Sequence, residues 1–477
     1  MAKRALYVIA ALLAGACTSG PSRGGADATG GAADARGTDG PGLGRDRAAV
    51  DGLAAVDGLA QRDGALPGPD GGFPGRDTGR GGRDRGPVAS DLRSAGSDAL
   101  VAGKDGSVAS GKYLLLTKAR LLTLPTSGDA WTYLRARADE AVSTPLNATS
   151  ASSPWLPNYA VVAPKYLGAA LVYASAWSGA KATYRKAVED ALRHVIGSEQ
   201  AASTDGTASG DALLATCRQL AAWVMAADLI DFNGTLTGSR PGWTGVSFDA
   251  WLKTMLTKTI GTHGRWKSIS QTHENSASNW GAHCAAARIA VSRYRGDASD
   301  VSRAALVVRG FLGDSAAYPA YPPGVTPAAG AGFQVTAGFA ASWACPYAAT
   351  VGGWKPINPA SCGPGYDGLV VEDIARSAGA YPSWDATGIG YTYESLGALH
   401  LAALLLQGAG YPAFGWSGDA LRRGMQWLLR EKQLPSSANG SVQRHIPWVT
   451  NHFYGTTLPT QPAAMGRSLA FTDWLFP

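Results

Sequence analysis

The sequence has few charged side chains and few sulfur-containing residues. Of its 477 residues, 16% are charged, and it contains five cysteines and five methionines. Beyond residue 17, no stretch is long and apolar enough to be a transmembrane helix. Glycine-rich phosphate-binding patterns and βαβ alternation are absent, which argues against nucleotide-binding folds. The net charge of +6 is not gathered into the dense Lys/Arg stripes of nucleic-acid binders, so we expect no nucleic-acid partner.

Metal-binding patterns are also missing. The cysteines form no Cys-x-x-Cys pair, a spacing that zinc sites commonly contain. His273-Glu274 begins like the zincin pattern, but Ala277 occupies the position of the second histidine. We therefore expect neither a metal nor a cofactor.

The first seventeen residues have the features of a bacterial export signal. Two basic residues precede an apolar run over residues 6–13, which is too short to span a bilayer. Cys17 then follows Ala-Gly-Ala, as in a lipobox. The pattern predicts a lipoprotein signal peptide over residues 1–17 with acylation of Cys17, and secretion without a lipid is the alternative. We expect the protein to be exported, and either lipid-anchored to the bacterial cell envelope or secreted.

The region that follows the signal is low in sequence complexity. Gly, Asp, Ala, Arg and Pro dominate residues 18–111, and aromatic residues are nearly absent. Such a composition buries too little apolar surface to offset chain entropy. We predict a disordered N-terminal tether over residues 18–111 and a folded domain over residues 112–477. We expect a monomer that touches a membrane only through its lipid anchor.

Four cysteines remain in the predicted domain, an even number that suits an oxidising compartment. Cys345 and Cys362 bracket a Pro/Gly-rich loop and form the best local pair. Cys217 and Cys284 lie in predicted helices, where a disulfide would join neighbouring helices. Four cysteines allow three pairings, and the sequence leaves all three open.

Amphipathic helical patterns recur along the domain. The stretch 391–408 is apolar almost all round after its first turn, which indicates a helix inside a second helical layer. Gly332–Thr336 is a candidate for a short hairpin strand. Together these patterns predict an all-α fold, specifically an α/α toroid or incomplete α/α barrel. The predicted helices cover residues 129–143, 158–178, 180–197, 209–231, 247–262, 275–294, 298–312, 367–378, 391–408 and 416–432.

A long loop interrupts the helical pattern. Residues 313–366 contain many Pro, Gly, Tyr and Trp residues, and loops of this length in compact domains are usually functional. Exposed aromatic rings suit stacking against the apolar faces of pyranose rings. The alternative is a packed insertion that a Cys345–Cys362 disulfide holds in place.

A polar segment from His273 to His283 opens one of the predicted helices. Asn275, Asn279 and His283 are spaced four residues apart and should share one helical face. Two amides and an imidazole form a neutral hydrogen-bonding stripe, which suits a substrate carboxylate or sugar hydroxyls. The alternative is a capped, partly buried helix whose amides bond to neighbouring backbone.

Three short segments resemble the alginate lyases and related polyuronate lyases, which are built on an α/α toroid. The first is the polar helix start, the second is an acidic residue followed four positions later by arginine, and the third is a tyrosine shortly before a Leu-x-x-Leu helix. The likeness covers roughly residues 210–477. The matching positions are Asn275, Asn279 and Trp280, then Glu372 and Arg376, and finally Tyr391 with Leu396 and Leu399.

The resemblance implies roles for individual residues. In these lyases an Asn/His pair and an arginine bind the uronate carboxylate, while a tyrosine removes the C5 proton and protonates the leaving oxygen. Arg376 and Tyr391 match the arginine and the tyrosine. The family's Asn-His dipeptide has no counterpart here, so Asn275 and Asn279, with His283 or His273, take its place. The residues expected to contact substrate are His273, Trp280, Tyr393, His445, Asn451, His452 and Tyr454.

The reaction explains why these residue types are needed. Removing a proton beside an ionised carboxylate builds a second negative charge, so amide and guanidinium donors must stabilise the enolate-like intermediate. A general base must reach the C5 proton. Because tyrosine has an ordinary pKa of about 10, a cation such as Arg376 is needed to favour the phenolate. We therefore expect a polysaccharide lyase that cleaves an anionic uronate polymer, alginate or a similar polyuronate, by β-elimination.

Two other functions fit the same sequence. A glycoside hydrolase on a helical scaffold would need two opposed carboxyl groups, and Glu372, Asp373, Asp385 and Glu394 are the candidates. A non-catalytic glycan-binding surface lipoprotein would use the aromatic loop and leave its ligand unchanged.

Overall fold

The computed structural model is built, in the residues it describes, from α-helices and the turns between them. It describes residues 113–146, 155, 162–199, 211–236, 242–261, 267–321, 331–334, 356–375, 386–431 and 443–477, which belong to the compact unit Arg93–Pro477. The predicted signal peptide with Cys17 and the predicted tether lie outside the described residues, as do Arg376, Asp385 and Cys345. Within the described ranges, no helix combines the length and hydropathy needed to cross a bilayer.

The prediction of an all-α fold is confirmed. A single pair of two-residue strands, β1 (Ala320–Tyr321) and β2 (Phe333–Gln334), accompanies the helices in the described part of the chain. The helices are α1 (Lys118–Thr123), α2 (Asp129–Ser143), α3 (Val162–Ala174), α4 (Lys181–Val195), α5 (Asp211–Leu229), α6 (Phe248–Met255), α7 (Ile269–Asn275), α8 (Asn279–Tyr294), α9 (Ala298–Phe311), α10 (Val371–Ala375), α11 (Ala386–Gly408), α12 (Trp416–Arg430), α13 (His445–Tyr454) and α14 (Thr472–Leu475).

The helices divide into a surface type and an interior type. On α4 the buried residues Tyr184, Val188, Leu192 and Val195 form one stripe, which is typical of a helix with one face in solvent. On α11, by contrast, every residue of Leu401–Leu406 is buried. Six consecutive residues span more than a full turn, so other elements surround α11 on all sides.

Three interior helices run side by side in the same direction. Near their first turns, Cys217 of α5 is disulfide-bonded to Cys284 of α8, and His283 of α8 contacts Glu394 of α11. Near their last turns, Arg293 of α8 donates a hydrogen bond to the carbonyl of Leu405 of α11 at 2.7 Å. Since the contacts advance together along the helices, α8 and α11 are parallel.

The carboxyl end of α5 lies beside that of α8. Leu114 joins the two helices, because its N–H donates to Asp228 of α5 at 2.6 Å and its carbonyl accepts from Arg293 of α8 at 2.9 Å. The disulfide holds the same two helices together near their first turns. The amino-terminal parts of α5 and α8 are thus adjacent, and so are their carboxyl ends, so the two helices are parallel.

Two further helices extend this parallel set. In α3, the N–H of Ala163 donates to the Gln219 side chain of α5 at 3.3 Å, and the rings of Tyr166 and Trp223 follow one turn later with centroids 5.2 Å apart. In α13, Nε2 of His445 lies 3.5 Å from the carbonyl oxygen of Gly397 of α11, and Thr450 lies 2.9 Å from His400, so these contacts advance together along both helices. We call α3, α5, α8, α11 and α13 the parallel helices; the chain returns between them through α4, through α6 and α7, through α9 and α10, and through α12.

The short strand in the long loop differs from the sequence prediction in its pairing. Phe333–Gln334 is a strand, as the pattern of Gly332–Thr336 indicates, but it pairs with Ala320–Tyr321 in parallel. A hairpin would require an antiparallel pair. The ring of Phe333 packs against Tyr318 at 4.9 Å, so burial of this ring fixes the strand's position.

The Cys217–Cys284 disulfide, one of the three pairings that the sequence left open, is present. Cys362 is disulfide-bonded as well, while Cys345, its expected partner, lies outside the described residues. The first bond joins positions 67 residues apart in sequence, and cross-linking a loop of this size restricts the unfolded chain considerably.

Removing the Cys217–Cys284 bond should therefore destabilise the protein. We expect the double variant Cys217→Ala/Cys284→Ala to lose about 2–4 kcal/mol of unfolding free energy, measured by denaturant titration. Full reduction of the parent protein should cost at least as much, because it also breaks the disulfide of Cys362. Equal stability of parent and variant would mean that the cross-link does not constrain the unfolded chain as expected.

The C-terminal segment, defined here as residues 464–476, is buried along its whole length. Its side chains contact distant parts of the chain: Ser468 donates to the carbonyl of Arg218, and Trp474 donates to the carbonyl of Pro125 at 2.7 Å. Phe471 packs against Gly168, where a Cβ would lie 2.9 Å from the ring. The segment thus connects α13 to the elements at the start of the domain.

Candidate functional site

A buried carboxylate, Glu394 of α11, gathers four polar side chains from four parts of the chain. Its Oε2 lies 2.8 Å from Nε2 of His283 and 3.3 Å from Nε of Arg218. Its Oε1 accepts a hydrogen bond from Gln443 at 2.7 Å and lies 3.3 Å from Nε of Arg467. We call these five residues the Glu394 cluster.

The charges and the burial of the Glu394 cluster determine the protonation states of Glu394 and His283. Burial alone would raise the pKa of Glu394, but the positive charges of Arg467 and Arg218, together with the hydrogen bond from His283, outweigh burial and hold that pKa well below its usual range. Glu394 is therefore ionised. Burial is the largest influence on His283 and lowers its pKa to about 4, so the ring is neutral at neutral pH.

These protonation states assign the tautomer of His283. An ionised carboxylate only accepts hydrogen bonds. Nε2 of His283 therefore carries the ring's proton and donates a hydrogen bond to Glu394. Nδ1 then carries the lone pair. In the described residues this buried nitrogen has no hydrogen-bond partner.

A small enclosed cavity adjoins His283. It measures about 10 Å³ and is also lined by Gln443, His445 and Arg467, which is close to the least space that one water molecule requires. A sugar ring does not fit there. The arrangement can therefore position helices and hold a proton on a known nitrogen, but it does not admit a polymer.

Buried neutral histidines make stability depend on pH. Burial lowers the pKa of His283 and of His445 to about 4, whereas an unfolded histidine has a pKa of about 6.5. Between these values the unfolded chain binds more protons, so the stabilisation is complete above about pH 6.5 and is lost as the pH falls toward 4. Burial lowers the pKa of His273 and of His400 too, which acts in the same direction.

We expect the unfolding free energy to fall between pH 7 and pH 5, by on the order of 1–2 kcal/mol for each such histidine. Denaturant titrations at the two pH values measure the change. His283→Gln should reduce the pH dependence, and His452→Gln should reduce it less, because His452 is exposed although its pKa is also lowered. A pH dependence that is the same in parent and His283→Gln would contradict the assignment of His283 as a buried neutral ring.

The polar segment before α8 does not form the continuous stripe predicted from the sequence. Asn275 ends α7, Ser276 is extended, and α8 begins only at Asn279. Asn275 therefore does not share a helix with Asn279 and His283, and its amide donates to the carbonyl of Gln271 at 2.7 Å. The prediction of one helical face for all three residues was wrong.

The break has an identifiable physical cause. The carbonyl of Ser276 lies across the first turn of α8, where a Cβ on Gly281 would come within 1.9 Å of its oxygen. Only glycine permits this approach. The hydroxyls of Ser276 and Ser278 lie 2.8 Å apart and hydrogen-bond to each other within the break.

A buried aspartate links the start of α8 to α11. Oδ1 of Asp373 accepts the N–H of Asn279 at 3.1 Å, and Oδ2 accepts the hydroxyl of Ser395. A carboxylate at the first N–H of a helix is favoured because the amino end carries partial positive charge. Asp373 thereby fixes Asn279 next to the α11 turn that follows Tyr391.

The parallel pairing of α8 and α11 places Tyr391. Paired residues differ by 111 positions at His283–Glu394 and by 112 at Arg293–Leu405. An offset of 111 pairs Tyr391 with Trp280, and an offset of 112 pairs it with Asn279, so Tyr391 lies level with these two residues. The structure thus brings two of the predicted catalytic residues, Asn279 and Tyr391, to the same end of the parallel helices. Tyr391 and Trp280 are partly exposed there, whereas Asn279 is 1% exposed.

Other predicted residues near this end are buried like Asn279. Tyr393 is 4% exposed, and burial raises its pKa above the usual value. His273 is 1% exposed, and in the described structure neither ring nitrogen has a hydrogen-bond partner. His445 lines the enclosed cavity beside the Glu394 cluster. Arg376, the predicted carboxylate-binding arginine, follows α10 but lies outside the described residues.

Three residues predicted to contact substrate lie elsewhere. His452 lines a pocket together with Leu404 of α11, and Leu404 is about 20 Å further along that helix than Tyr391 at 1.5 Å per residue. The hydroxyl of Tyr454 donates to the carbonyl of Phe414 at 2.7 Å. The side chain of Asn451 accepts from the N–H of Leu458 at 2.8 Å. These three residues and Tyr391 do not form one site.

Sequence reasoning missed most of the Glu394 cluster. Arg218, Gln443 and Arg467 were not among the candidates, and Glu394 was considered only as a possible hydrolase carboxylate. One signal was available for Arg218, since it is the one basic residue in the mostly apolar helix α5. A charge inside an apolar helix usually has a buried partner.

No group of three or more His, Cys, Asp or Glu side chains in the described ranges is arranged to hold a metal ion. From the contacts described above, we define the candidate site as Asn279, Asp373, Tyr391 and the Glu394 cluster, which lies about one helical turn further along α11. Searches against protein-family models, curated proteins and solved structures find no match to this chain.

Proposed function

We propose that this chain is a polysaccharide lyase that cleaves an anionic, uronate-containing polysaccharide by β-elimination. Tyr391 acts as base and acid, and Asn279 and Arg376 neutralise the uronate carboxylate. The observation that carries the proposal is the parallel pairing of α8 and α11, which puts Asn279 and Tyr391 level with each other at one end of the helices. The partial exposure of Tyr391 leaves its side chain accessible to a substrate.

The direction of the parallel helices supports an anionic substrate. Five helices that run the same way have their amino ends at the same end of the domain, and each amino end carries about half a positive charge. Asn279 and Tyr391 lie at this end. We propose that these helices are the inner layer of an incomplete α/α toroid, with α4, α9 and α12 among the returning helices outside it.

The proposed elimination needs no water. The phenolate of Tyr391 takes the proton from C5, the electron pair forms the C4=C5 double bond, and the bond from C4 to the glycosidic oxygen breaks. The leaving oxygen receives a proton from the tyrosine hydroxyl. Because negative charge accumulates on the carboxylate before that bond breaks, amide and guanidinium donors lower the barrier by stabilising this charge.

The Glu394 cluster has a positioning role in this proposal. It joins α5, α8, α11 and the C-terminal segment one turn below Tyr391. His283 therefore acts through Glu394 and not on the sugar. A fixed helical frame matters because catalytic groups must be held close to their productive geometry.

The contacts of the carboxylates give less support to a glycoside hydrolase. Glu394 is held ionised by two arginines, so it is poorly suited to donate a proton as a general acid. Asp373 already binds the Asn279 N–H and the Ser395 hydroxyl. Glu372 is buried, and Asp385 lies outside the described residues.

The proposal also includes export of the protein, with lipidation at Cys17, and a monomeric state. The Cys217–Cys284 disulfide supports export, because disulfides persist mainly in oxidising compartments.

Incubation with a panel of alginate, glucuronan, pectate and glycosaminoglycans tests the activity. Elimination produces a 4,5-unsaturated sugar, which raises the absorbance near the ultraviolet edge. New reducing ends without that absorbance would indicate hydrolysis and would refute the lyase proposal. Binding without either signal would indicate a non-catalytic glycan-binding protein.

A further inference from the structure

A pocket of about 150 Å³ opens at the carboxyl end of the parallel helices, roughly 20 Å from Tyr391 along α11. We propose that this pocket binds a single uncharged pyranose unit of a carbohydrate. Its walls come from the segment before α1, from the last turns of α11 and α13, and from Phe476. The choice of a carbohydrate rests on the proposed function, but the pocket and its test are independent of catalysis.

The walls of the pocket are apolar and aromatic. Phe453, Phe476 and Tyr113 line it together with Leu116. Phe453 is held in place because its ring stacks on Phe414, with centroids 3.8 Å apart. The C–H faces of a pyranose are apolar, so rigid aromatic walls provide surfaces against which such a ring packs without first having to be ordered.

Polar groups at the pocket's rim are available for sugar hydroxyls. Gln407, Tyr113 and His452, whose side chains carry an amide, a hydroxyl and an imidazole, all belong to the lining. Within the described part of the chain, none of the three side chains makes a hydrogen bond. Binding sites for small molecules combine apolar walls with a few such polar groups, which fix the orientation of the ligand.

The electrostatic setting favours an uncharged sugar over a uronate. The last turns of α11 and α13 carry the partial negative charge of helix carboxyl ends. Burial, followed by the negative charges of Asp231 and Asp228, raises the pKa of Tyr113. Burial, followed by the positive charge of Arg120, lowers the pKa of His452, and a second cation, Arg293, lies so close to Gly408 of the lining that a Cβ there would be 2.8 Å from the guanidinium. A carboxylate would meet repulsion from the helix ends and the two aspartates, whereas hydroxyl groups donate to or accept from groups of either charge.

Isothermal titration of the full chain with neutral disaccharides (maltose, cellobiose and mannobiose) and with a trimeric oligouronate tests the inference. We expect at least one neutral disaccharide to bind and the oligouronate not to compete with it. Gln407→Ala should weaken binding at least fivefold. Leu116→Trp should abolish it by filling the pocket, whereas the control Leu122→Trp, at a 45% exposed position on α1 outside the lining, should leave it unchanged.

Absence of binding by every neutral disaccharide would overturn the inference. Unchanged binding in Gln407→Ala and in a folded Leu116→Trp variant would do the same, because the ligand would then occupy another surface. Equal competition by the oligouronate would contradict the charge argument. The absorbance assay for elimination is measured separately, so failure here is distinguishable from failure of the proposed lyase activity.

Discussion

Tyr391→Phe is expected to lower the rate of unsaturated-product formation by about 100- to 10,000-fold, which is the usual contribution of a general acid–base group. The substitution removes one oxygen atom and with it the group that takes the C5 proton. A partly exposed ring keeps its packing, so we expect unfolding free energy to change by no more than about 1.5 kcal/mol, the range of one hydrogen bond. The rate is followed by ultraviolet absorbance on the best polyuronate of the panel.

Tyr411→Phe provides the matched control for this experiment. Tyr411 is also partly buried and its ring packs against Trp416, but it follows the carboxyl end of α11, far from Asn279. Its loss should leave turnover unchanged. If Tyr391→Phe retained the parent rate while Tyr411→Phe did as well, Tyr391 would not be the base and the proposed chemistry would have to be abandoned.

Glu394→Ala is expected to cost about 3–5 kcal/mol of unfolding free energy, the range found when one partner of a buried ion pair is removed. Two arginines that are 13% and 9% exposed in their side chains would lose their carboxylate, and His283 would lose its hydrogen-bond acceptor. Since typical domains are stable by about 5–15 kcal/mol, this is a large fraction of the total. Denaturant titration followed by circular dichroism measures it.

A compensating variant separates charge from packing. In Glu394→Leu/Arg218→Met/Arg467→Met the charges disappear together and apolar side chains fill the space, so much of the lost stability should return. Glu189→Gln serves as the surface control, because Glu189 pairs with Arg185 at an exposed position and such pairs contribute about 1 kcal/mol or less. A Glu394→Ala variant as stable as the Glu189→Gln control would mean that the cluster does not hold the helices together.

Several helices were predicted well from the sequence, two of them because a capping side chain marks their start. The predicted range 129–143 coincides with α2. The predicted start of α9 is correct because Asp297 caps it, its side chain accepting the N–H of Asp300 at 3.0 Å. Ser247 caps α6 in the same way at 3.1 Å. A cap of this kind is a local interaction, so a short stretch of sequence is enough to reveal it.

Features that depend on contacts between distant residues were not predictable in this way. α13 was not among the predicted helices. Its Pro447 is compatible with a helix because it lies in the first turn, where proline is tolerated. The break before α8 depends on close packing at Gly281. The Glu394 cluster brings together residues such as Glu394 and His283, 111 positions apart, and no periodicity in the sequence encodes such a pairing.

The burial of the C-terminal segment has a consequence for the order in which the chain acquires its structure. Arg467 supplies one of the two positive charges beside Glu394, and Trp474 bonds to a carbonyl 349 positions earlier. During synthesis these partners emerge long after α5, α8 and α11. Until then the negative charge of Glu394 lacks the positive charge of Arg467. We expect nascent chains that stop before residue 464 to remain loosely packed and sensitive to proteases, with cooperative folding only once residues 464–476 can reach their partners.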